Sequence, residues 1–557
     1  MKLVECVPNF SEGRDKGVIA AIADAARSVE GVRVLDVDPG SATNRTVFTF
    51  AGSPEAVSEA AFRAISKGLE LIDMSRRKGE HARQGACDVC PFVPISEVSM
   101  AECVALAKAL AARVGKELNV PVYLYAEAAA KPERRRLPDI RVGEYEALAD
   151  KLKQAKWKPD FGPAKFLPRS GAVTIGARNF LIAYNVNLNT RSVKLAKRIA
   201  FRVRETGGNK RDEKGKFVKD SKGNPIIEPG LFKSVQGTGW LIPEYQRAQI
   251  TVNILDIEAS PLHEVFDACC DLASGLGCRV TGSEVVGMVP RRVLTEAGRY
   301  FLKKQGLSPG VSEQELIDNA VQSLGLCDVS EFDPAQKIIE ARFQAQSPLG
   351  DMTLRRFSDE LASDSPAPGG GSAAALMGAL GASLAAMVAA LTHGKKGFEK
   401  VREEMEKLGE DAHALKAEQV AAIDADTAAF NGVMAAMRLP GESAPQRAVR
   451  TAEIERANKE AIRVPLETLK RTIPTLDLAQ AAAKNGNPNS LSDAGVAAVS
   501  ARAAACGAYY NVLINLAGIT NKTWRDKTGK EAQGLFKTAC AKAENIESFV
   551  LRRLRDL

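Results

Sequence analysis

The spacing of hydrophobic positions divides the chain into two regions of different character. Up to about residue 304, short runs with strand periodicity alternate with segments of helical periodicity. The predicted strands are Leu3–Val7, Val32–Asp38, Thr46–Phe50, Val120–Tyr125, Phe180–Leu188 and Ile250–Leu255. The predicted helices are Val18–Val29, Pro54–Ile72, Met100–Leu118, Arg191–Arg204, Pro261–Leu276 and Val293–Lys304. The alternation predicts two α/β (α+β) subdomains, each a sheet with helices packed on it.

Strand patterns nearly disappear in the last third of the chain. The predicted helices there are Ala373–Leu391, Phe398–Met437, Pro445–Thr472, Leu476–Ala483, Asp493–Leu516 and Lys530–Leu554. They indicate an all-α helical bundle domain. Pro465 lies inside one pattern, so we expect that helix to be kinked or split. The expected division is 1–179 and 180–330 for the two subdomains, 331–350 for a linker and 351–557 for the helical domain.

The segment Ala373–Leu391 is uncharged and close to the length that spans a bilayer. A membrane span is therefore one interpretation. The run is mostly Ala and Gly, however, and alanine contributes little transfer energy. We therefore favour a buried central helix whose small residues permit close approach, and expect no membrane span.

Composition narrows the class of protein without defining its function. A chain of 557 residues is too long for one hydrophobic core, and its 45% hydrophobic and 26% charged residues are ordinary for a globular protein. The net charge of +8 is not gathered into one aromatic-interleaved patch, so nucleic acid is not indicated. Ten scattered cysteines and a charged N-terminal run without signal-peptide character predict a cytoplasmic protein.

One polar, Gly-flanked stretch, residues 77–91, stands out as candidate chemistry. It contains His81, one of only four histidines. Imidazole takes and gives a proton near neutral pH, which suits acid/base catalysis. A surface loop with an idle histidine is the other interpretation. Cys87 and Cys90 have the spacing of half a zinc site or a redox pair, but no second pair follows at finger spacing, so no metal is expected.

A second candidate lies in the helical region, where two carboxylates interrupt an apolar helix. Asp424 and Asp426 are two residues apart, so they point about 200° apart and cannot share a face. Asp426 falls in the apolar stripe with Ile423 and Phe430. Burial there would raise its pKa towards proton-transfer use, although a structural hydrogen-bonding role is equally consistent with the pattern.

Three further segments have less specific patterns. The basic run Arg134–Arg136 has a solvated loop as its default interpretation and an anion contact as the alternative. Residues 160–171 are rich in Pro and Gly with aromatic and basic residues interleaved, which suits a connector or a site that stacks a flat ring and pairs a carboxylate. Residues 207–229 are polar, charged and Gly-rich, which predicts an exposed insertion.

Several long motifs, in order along nearly the whole chain, resemble a known family. Leu3–Gly13, Asp36–Asp38 with Thr43–Val47, and Gly79–Phe92 are similar to glutamate formiminotransferase. Pro368–Ser372, Asp424–Asp426 with Ala429–Phe430, and Ala508–Leu516 are similar to formiminotetrahydrofolate cyclodeaminase. Together they resemble the bifunctional formiminotransferase-cyclodeaminase family.

The resemblance implies two reactions at the end of histidine breakdown. The first transfers a formimino group from N-formimino-L-glutamate to N5 of tetrahydrofolate and releases glutamate. The second closes 5-formiminotetrahydrofolate to 5,10-methenyltetrahydrofolate and releases ammonia. His81 matches the transferase histidine and Asp426 the cyclodeaminase aspartate. The implied folate and substrate contacts are Asp38, Gly162, Pro163, Ala164, Lys165, Phe166, Leu167, Pro168, Arg169, Ser170, Gly171, Gly230, Leu231 and Phe232.

The resemblance also sets expectations for ligands and assembly. It implies tetrahydrofolate, in polyglutamylated form, as co-substrate, with no bound cofactor and no metal. Lys165 and Arg169 are expected to pair with folate carboxylates. Family members form homo-oligomers built from dimers, an octamer in the family. Two alternatives are open: a helical domain that acts as a methenyltetrahydrofolate cyclohydrolase, or a folate-binding scaffold with inactive sites.

Overall fold

A computed structural model gives the architecture of the chain. It describes residues 2–41, 43–77, 82–210, 212, 216–244, 246–343 and 348–556. These form two compact units, Met1–Val293 with Leu324–Gln344, and Leu294–Ser323 with Ala345–Leu557. The boundaries expected at 179, 330 and 350 stay a prediction.

The first unit begins with a seven-stranded mixed sheet. Its strands are β1 (Leu3–Cys6), β2 (Asn9–Phe10), β3 (Arg33–Gly40), β4 (Arg45–Gly52), β5 (Cys87–Ser96), β6 (Val122–Ala126) and β7 (Val173–Ala177). β1 and β2 both lie between β4 and β5, β3 forms an edge beside β4, and β7 runs parallel to both β5 and β6. The helices of this part are α1 (Lys16–Arg27), α2 (Pro54–Leu71), α3 (Met100–Glu117), α4 (Leu137–Arg141) and α5 (Leu148–Lys151). The apolar faces of α1 to α3 form one core with the sheet.

A second, four-stranded antiparallel sheet follows in the same unit. Its order is β11-β12-β8-β13. The strands from here on are β8 (Ile182–Leu188), β9 (Gly208–Asn209), β10 (Ile227–Glu228), β11 (Val235–Ile242), β12 (Arg247–Ile254) and β13 (Val280–Val286). The helices that follow β8 in this unit are α6 (Val193–Val203) and α7 (Leu262–Gly275). The next helix, α8 (Arg291–Lys304), belongs to the second unit from Leu294 onward. β9 and β10 form a small separate ladder in the predicted insertion, whose described residues are mostly exposed, as expected.

Three predictions for the first unit need correction. The stretch around His81 has no clear strand period, yet its second half is the buried strand β5. β7, β11 and β13 are strands that the hydrophobic pattern did not reveal. Arg134 is fully buried rather than solvated, because it forms an ion pair with Asp160 at 2.8 Å and donates to two backbone carbonyls.

The second unit is helical, as the pattern predicts. The remaining helices are α9 (Glu313–Leu324), α10 (Pro334–Lys337, in the first unit), α11 (Leu354–Leu361), α12 (Gly370–His393), α13 (Arg402–Met437), α14 (Ala444–Asn485), α15 (Leu491–Leu516) and α16 (Lys522–Arg555). Their shared core is dominated by alanine. α14 is one continuous helix, so the expected split at Pro465 and the separate helix at 476–483 are wrong, while a kink at Pro465 stays a prediction.

The apolar helix α12 is the central element of this bundle. Within the described ranges it is the one helix long and apolar enough to cross a membrane, and 56% of its most apolar window is buried inside the unit. A Cβ at Gly378 would lie 2.7 Å from the Gln419 side chain of α13, and one at Gly381 would lie 3.0 Å from the Ala497 carbonyl of α15. Small residues therefore let neighbouring helices approach closely, which is the role expected of a core helix.

Candidate functional sites

The first candidate site surrounds the segment 78–81. These four residues, which include His81, lie outside the part of the chain that the structure describes. The residues before and after them are held by ion pairs. Arg77 pairs with Glu12, whose side chain is fully buried, and Glu12 also accepts backbone N–H groups from Arg14 and Asp15 at 2.8 and 3.0 Å. The sequence motif contains Glu12, but no local periodicity marks it as a buried carboxylate.

Arg83 anchors the residues that follow the segment. It pairs with Glu144 at 3.1 Å and Glu146 at 2.7 Å, and it donates to the carbonyl of Arg77 at 3.2 Å. The side chain of Arg83 thus links the described residues on both sides of 78–81. Sequence reasoning missed the two ion pairs, because Glu144 and Glu146 are more than 60 residues away along the chain.

The predicted folate segment 162–171 lies against both of these flanks. The carbonyl of Arg169 accepts from the N–H of Met74 at 2.9 Å, and the carbonyl of Ser170 accepts from the N–H of Ala86 at 2.8 Å. Gly171 has φ +67° and packs against the backbone of Gln84 and Gly85, where a Cβ would overlap the chain. The structure therefore brings the second half of segment 162–171 next to the residues that flank His81.

Within segment 162–171, exposure varies strongly. Gly162, Ala164, Lys165, Pro168 and Arg169 are exposed, Pro163, Phe166 and Leu167 are half-buried, and Ser170 and Gly171 are buried. The Arg169 guanidinium donates to the carbonyl of Glu70 at 2.8 Å. The Phe166 ring packs on Tyr145 at 5.5 Å, and the Tyr145 hydroxyl donates to the carbonyl of Pro168 at 2.6 Å. The segment thus has an anchored backbone with exposed basic side chains.

A charged cluster on β4 and β5 belongs to the same region. Asp88 is buried, accepts from the N–H of Gln84 at 2.8 Å, and pairs with Arg141. Burial and the nearby Arg141 lower the pKa of Arg45, while Asp88 and Asp38 oppose that effect. Asp38 itself is exposed on β3, opposite Val47 of β4. These charges can recognise a polar substrate. In the sequence, Asp88 stands out as a charged residue within an otherwise apolar run.

The cysteines beside this region are buried thiols. Cys87 and Cys90 lie on β5, and the sulfur of Cys90 is 3.4 Å from that of Cys6 on β1. Burial raises the pKa of the Cys87 and Cys6 thiols, with neighbouring thiols adding to the effect. Neutral thiols packed in a core suit structural residues rather than nucleophiles.

Gly230–Phe232, the other predicted folate segment, lies at the end of α6. The N–H groups of Leu231 and Phe232 donate to the carbonyls of Arg202 and Val203 at 2.8 and 3.2 Å. Next to it is a cavity of about 1090 Å³ between α6, α7 and the insertion. Its charged lining residues are Lys194, Lys197, Arg198, Arg202, Arg204, Glu228 and Asp271.

The electrostatics of this cavity favour an anion. Five cationic side chains face two carboxylates, and one of these, Glu228, is paired with Arg202 at 3.1 Å. Within the described ranges, Lys194, Lys197 and Arg198 form no ion pair. Like charges at helical spacings of three and four residues repel each other, so a bound anion would stabilise this face of α6.

The second candidate site lies where α13 meets the first turn of α12. Asp426 is half-buried on α13, and its carboxyl contacts the backbone at Gly371 so closely that any Cβ there would overlap it. Ser372 provides both a backbone N–H and a hydroxyl to this carboxyl, with the hydroxyl oxygen 3.3 Å from Oδ2. Asn511 of α15 lies beside Gly370, the first residue of α12. The site is thus assembled from three helices.

Opposing effects set the charge of Asp426. Desolvation by burial raises its pKa above the ordinary value, and the two hydrogen bonds from Ser372 partly offset that rise. The positive end of the α12 dipole also favours the carboxylate. A carboxyl with a raised pKa that still has donors for its charged form can both take and give a proton.

Asp424 has a different and structural set of contacts. Its two carboxylate oxygens accept from the backbone N–H groups of Leu349 and Gly350, each at 3.0 Å. It therefore fixes the residues that precede α11. The helical spacing correctly separated the two aspartates, although it did not indicate what Asp424 binds.

The fold and these two regions define a two-part protein, in which an α/β unit and a helical unit each have their own candidate site. Family profiles match both parts: "Formiminotransferase domain, N-terminal subdomain" at residues 3–178, "Formiminotransferase domain" at 183–344, and "Formiminotransferase-cyclodeaminase" at 353–534. The chain belongs to the formimidoyltransferase-cyclodeaminase family.

Individual relatives support the same division. The chain is 44% identical to the formimidoyltransferase-cyclodeaminase of Rattus norvegicus, over 97% of both chains. It is 41% identical to the glutamate formimidoyltransferase of Thermoplasma acidophilum, over 56% of this chain and 95% of that protein. It is also 40% identical to the methenyltetrahydrofolate cyclohydrolase of Methylorubrum extorquens, over 35% of this chain and 95% of that protein.

Proposed function

We propose that this chain is a bifunctional folate enzyme of histidine degradation. It transfers the formimino group of N-formimino-L-glutamate to tetrahydrofolate and releases glutamate. It then cyclises 5-formiminotetrahydrofolate to 5,10-methenyltetrahydrofolate and releases ammonia. The observation that carries the proposal is the Asp426 carboxyl, whose pKa is raised while it keeps donors for its charged form. Such a group is matched to the second reaction.

In the first reaction, the N5 amine attacks the amidine carbon and must lose a proton. The departing glutamate nitrogen must gain one. A single imidazole does both in sequence, and we assign this role to His81. The contacts of Arg169 and Ser170 with residues on either side of 78–81 support a folate site there.

In the second reaction, N10 attacks the formimino carbon and forms a C–N bond, which leaves an extra proton on N10. Asp426 accepts that proton as a carboxylate and then donates it to the nitrogen that leaves. The bond between the formimino carbon and this nitrogen then breaks, and ammonia departs. Asp426 is again a carboxylate at the end, so the charge of the enzyme is unchanged over the cycle. Catalysis thus needs both protonation states of Asp426 in one cycle.

The co-substrate is proposed to be polyglutamylated tetrahydrofolate. Lys194, Lys197 and Arg198 line the cavity beside Gly230–Phe232 and form no ion pair within the described residues, so they suit a chain of carboxylates. Lys197→Glu with Arg198→Glu should raise the KM for a polyglutamyl folate about tenfold and leave that for the monoglutamate unchanged. Lys16→Glu, on the exposed face of α1, is the control. Equal effects on both folates would contradict this assignment.

Lys165 and Arg169 are proposed to pair with folate carboxylates. Lys165 is exposed, and Arg169 is exposed while its guanidinium also holds the carbonyl of Glu70. Substituting either residue by Ala should weaken folate binding, as measured by titration calorimetry. Unchanged affinity in both variants would contradict the proposed pairing with the folate carboxylates.

A cyclohydrolase is the second candidate for the helical unit, and the similarity to the Methylorubrum extorquens protein favours it. Both reactions pass through related adducts at one carbon. The test supplies formimino-glutamate and tetrahydrofolate and follows glutamate, ammonia and methenyl absorbance together. Release of ammonia with growth of the methenyl signal supports the deaminase. Loss of supplied methenyltetrahydrofolate to a formyl product, without ammonia release from the formimino compound, supports the hydrolase.

The inactive scaffold is disfavoured, because His81 and Asp426 are both present.

We further place the enzyme in the cytoplasm as a homo-oligomer built from dimers. Exposed apolar side chains on α15, among them Val496, Val499, Tyr510 and Ile514, suit a dimer contact. Ile514→Glu should lower the mass seen by light scattering. A mass unchanged from that of the wild-type assembly would exclude this surface as the contact.

A further inference from the structure

The hydroxyl of Ser372 has three oxygen neighbours and a single proton to donate among them. It lies 2.8 Å from the carbonyl of Ile423, 3.3 Å from the Asp426 carboxyl and 3.3 Å from the hydroxyl of Thr427. Ser372 is fully buried, so water does not complete its hydrogen bonding. A hydroxyl has one proton to donate and two lone pairs to accept with.

The neighbours differ in whether they can donate a hydrogen bond to the Ser372 hydroxyl or only accept one from it. The Ile423 carbonyl only accepts. The Asp426 carboxyl accepts when ionised, and donates through its own O–H when protonated. With Asp426 ionised, Ser372 can donate to it. With Asp426 protonated, Ser372 can accept from it and turn its own proton towards Ile423. Either protonation state of Asp426 therefore has a partner at the same position.

We propose that Ser372 is a positioning residue whose hydroxyl reorients between Asp426 and the Ile423 carbonyl, so that Asp426 stays in place through a full proton cycle. The inference rests on the proposed cyclodeaminase reaction. The carboxyl takes a proton from N10 and returns it to the departing nitrogen, and the hydroxyl proton of Ser372 moves between two acceptors without leaving serine. No side chain has to swing, and the Asp426 carboxyl keeps Ser372 as a hydrogen-bond partner in either state.

The close contact with Gly371 explains why the Ser372 hydroxyl has to reorient. The backbone there lies against the Asp426 carboxyl, and a rotation of the carboxyl into the α12 turn is blocked. Asp426 thus cannot seek a different partner in that direction when its protonation changes. Its partner has to change role instead, which serine can do and alanine cannot.

The test is the pH profile of ammonia release from supplied 5-formiminotetrahydrofolate, using the full-length chain. Ser372→Ala removes a donor to the carboxylate, so the acid limb of kcat should move up by about one pH unit. At neutral pH kcat should fall about tenfold, with KM little changed. Ser383→Ala is the matched control, because Ser383 lies on the same helix and its hydroxyl donates to the carbonyl of Ala379, away from Asp426.

Two further variants separate the possible failures. Ser372→Cys, a weak donor and acceptor of similar size, should shift the limb in the same direction by less, and it carries the test if Ser372→Ala does not fold. Transferase activity and thermal unfolding report folding in each variant. An acid limb that coincides with that of the wild type in the folded Ser372 variant overturns the inference. If Asp426→Asn also retains ammonia release, the proposed function of the helical site falls as well.

Discussion

The carboxyl of Asp426 and the backbone of Gly371 lie in such close contact that a Cβ at position 371 would overlap the carboxyl. The glycine-rich start of α12 therefore serves the aspartate of α13 directly. A phosphate-binding loop is the more familiar use of such a run, and here the anion it meets is a side chain of the protein itself.

Gly371→Ala should consequently damage the helical site alone. The added methyl group displaces the Asp426 carboxyl, and a shift of about 1 Å at a reacting group can reduce kcat about 100-fold. Ammonia release from 5-formiminotetrahydrofolate should fall accordingly, while glutamate release is unchanged. Gly432→Ala on α13 is the control, since a Cβ there meets nothing within 4 Å. Equal deaminase activity in the two variants would refute the displacement.

Asp424 should behave as a structural residue. Asp424→Ala removes the acceptor for the N–H groups of Leu349 and Gly350, which we expect to cost about 2 kcal/mol in the free energy of unfolding. Ammonia release at saturating substrate should fall much less than in Asp426→Asn. Urea unfolding and steady-state assays on both variants measure the two effects. A larger loss of kcat in Asp424→Ala than in Asp426→Asn would reverse the assignment of the two aspartates.

The buried pair of Glu12 and Arg77 should be costly to break. Arg77→Met leaves the fully buried Glu12 side chain without its cation, which we expect to destabilise the fold by about 3 kcal/mol and to lower transferase activity. Adding Glu12→Gln should recover part of the stability. Arg76→Met, whose native side chain is 85% exposed, is the neighbouring control. If urea denaturation gave the same midpoint for the Arg76 and Arg77 variants, the Glu12–Arg77 ion pair would not stabilise the fold.

Glu5 should make stability depend on pH. It is buried on β1, where desolvation raises its pKa to about 7, against a lowering effect of Arg178. The folded state therefore binds more protons than the unfolded state between about pH 4.5 and 7, and stability falls as pH rises through that range. Glu5→Gln should be more stable than the wild type by about 3 kcal/mol above pH 7, with a smaller difference at pH 5.

Chemical unfolding at pH 5 and pH 8 measures this difference. Glu55→Gln, on the exposed side of α2, should show no such change with pH. A Glu5→Gln effect of the same size at both pH values would mean that Glu5 is ionised throughout the range in the folded state.

The sequence predicted most helices because their apolar faces repeat over many turns. The same periodicity placed Asp424 and Asp426 on different sides of α13, and the structure gives them different partners, although both side chains are half-buried. It failed for β5, where a strand buried on both faces shows no alternation and contains Pro91 and Pro94. It also failed for α14, where packing along 42 residues keeps the helix continuous through Pro465 and Pro474.

The partners of the candidate site in the first unit were beyond local patterns. Arg134 belongs to a basic run that predicts solvent exposure, and only its distant partner Asp160 makes burial possible. Glu12 and Arg77 are 65 positions apart and likewise meet only in the folded chain. Motif resemblance pointed to the region, but the ion pairs that fix it come from tertiary structure.

We propose that two separate sites act in sequence, the transferase at His81 and the cyclodeaminase at Asp426. The most direct measurement compares His81→Ala and Asp426→Asn for glutamate release from formimino-glutamate and for ammonia release from supplied 5-formiminotetrahydrofolate. We expect His81→Ala to lose only glutamate release and Asp426→Asn to lose only ammonia release. Loss of both activities in either folded variant would contradict the two-site assignment.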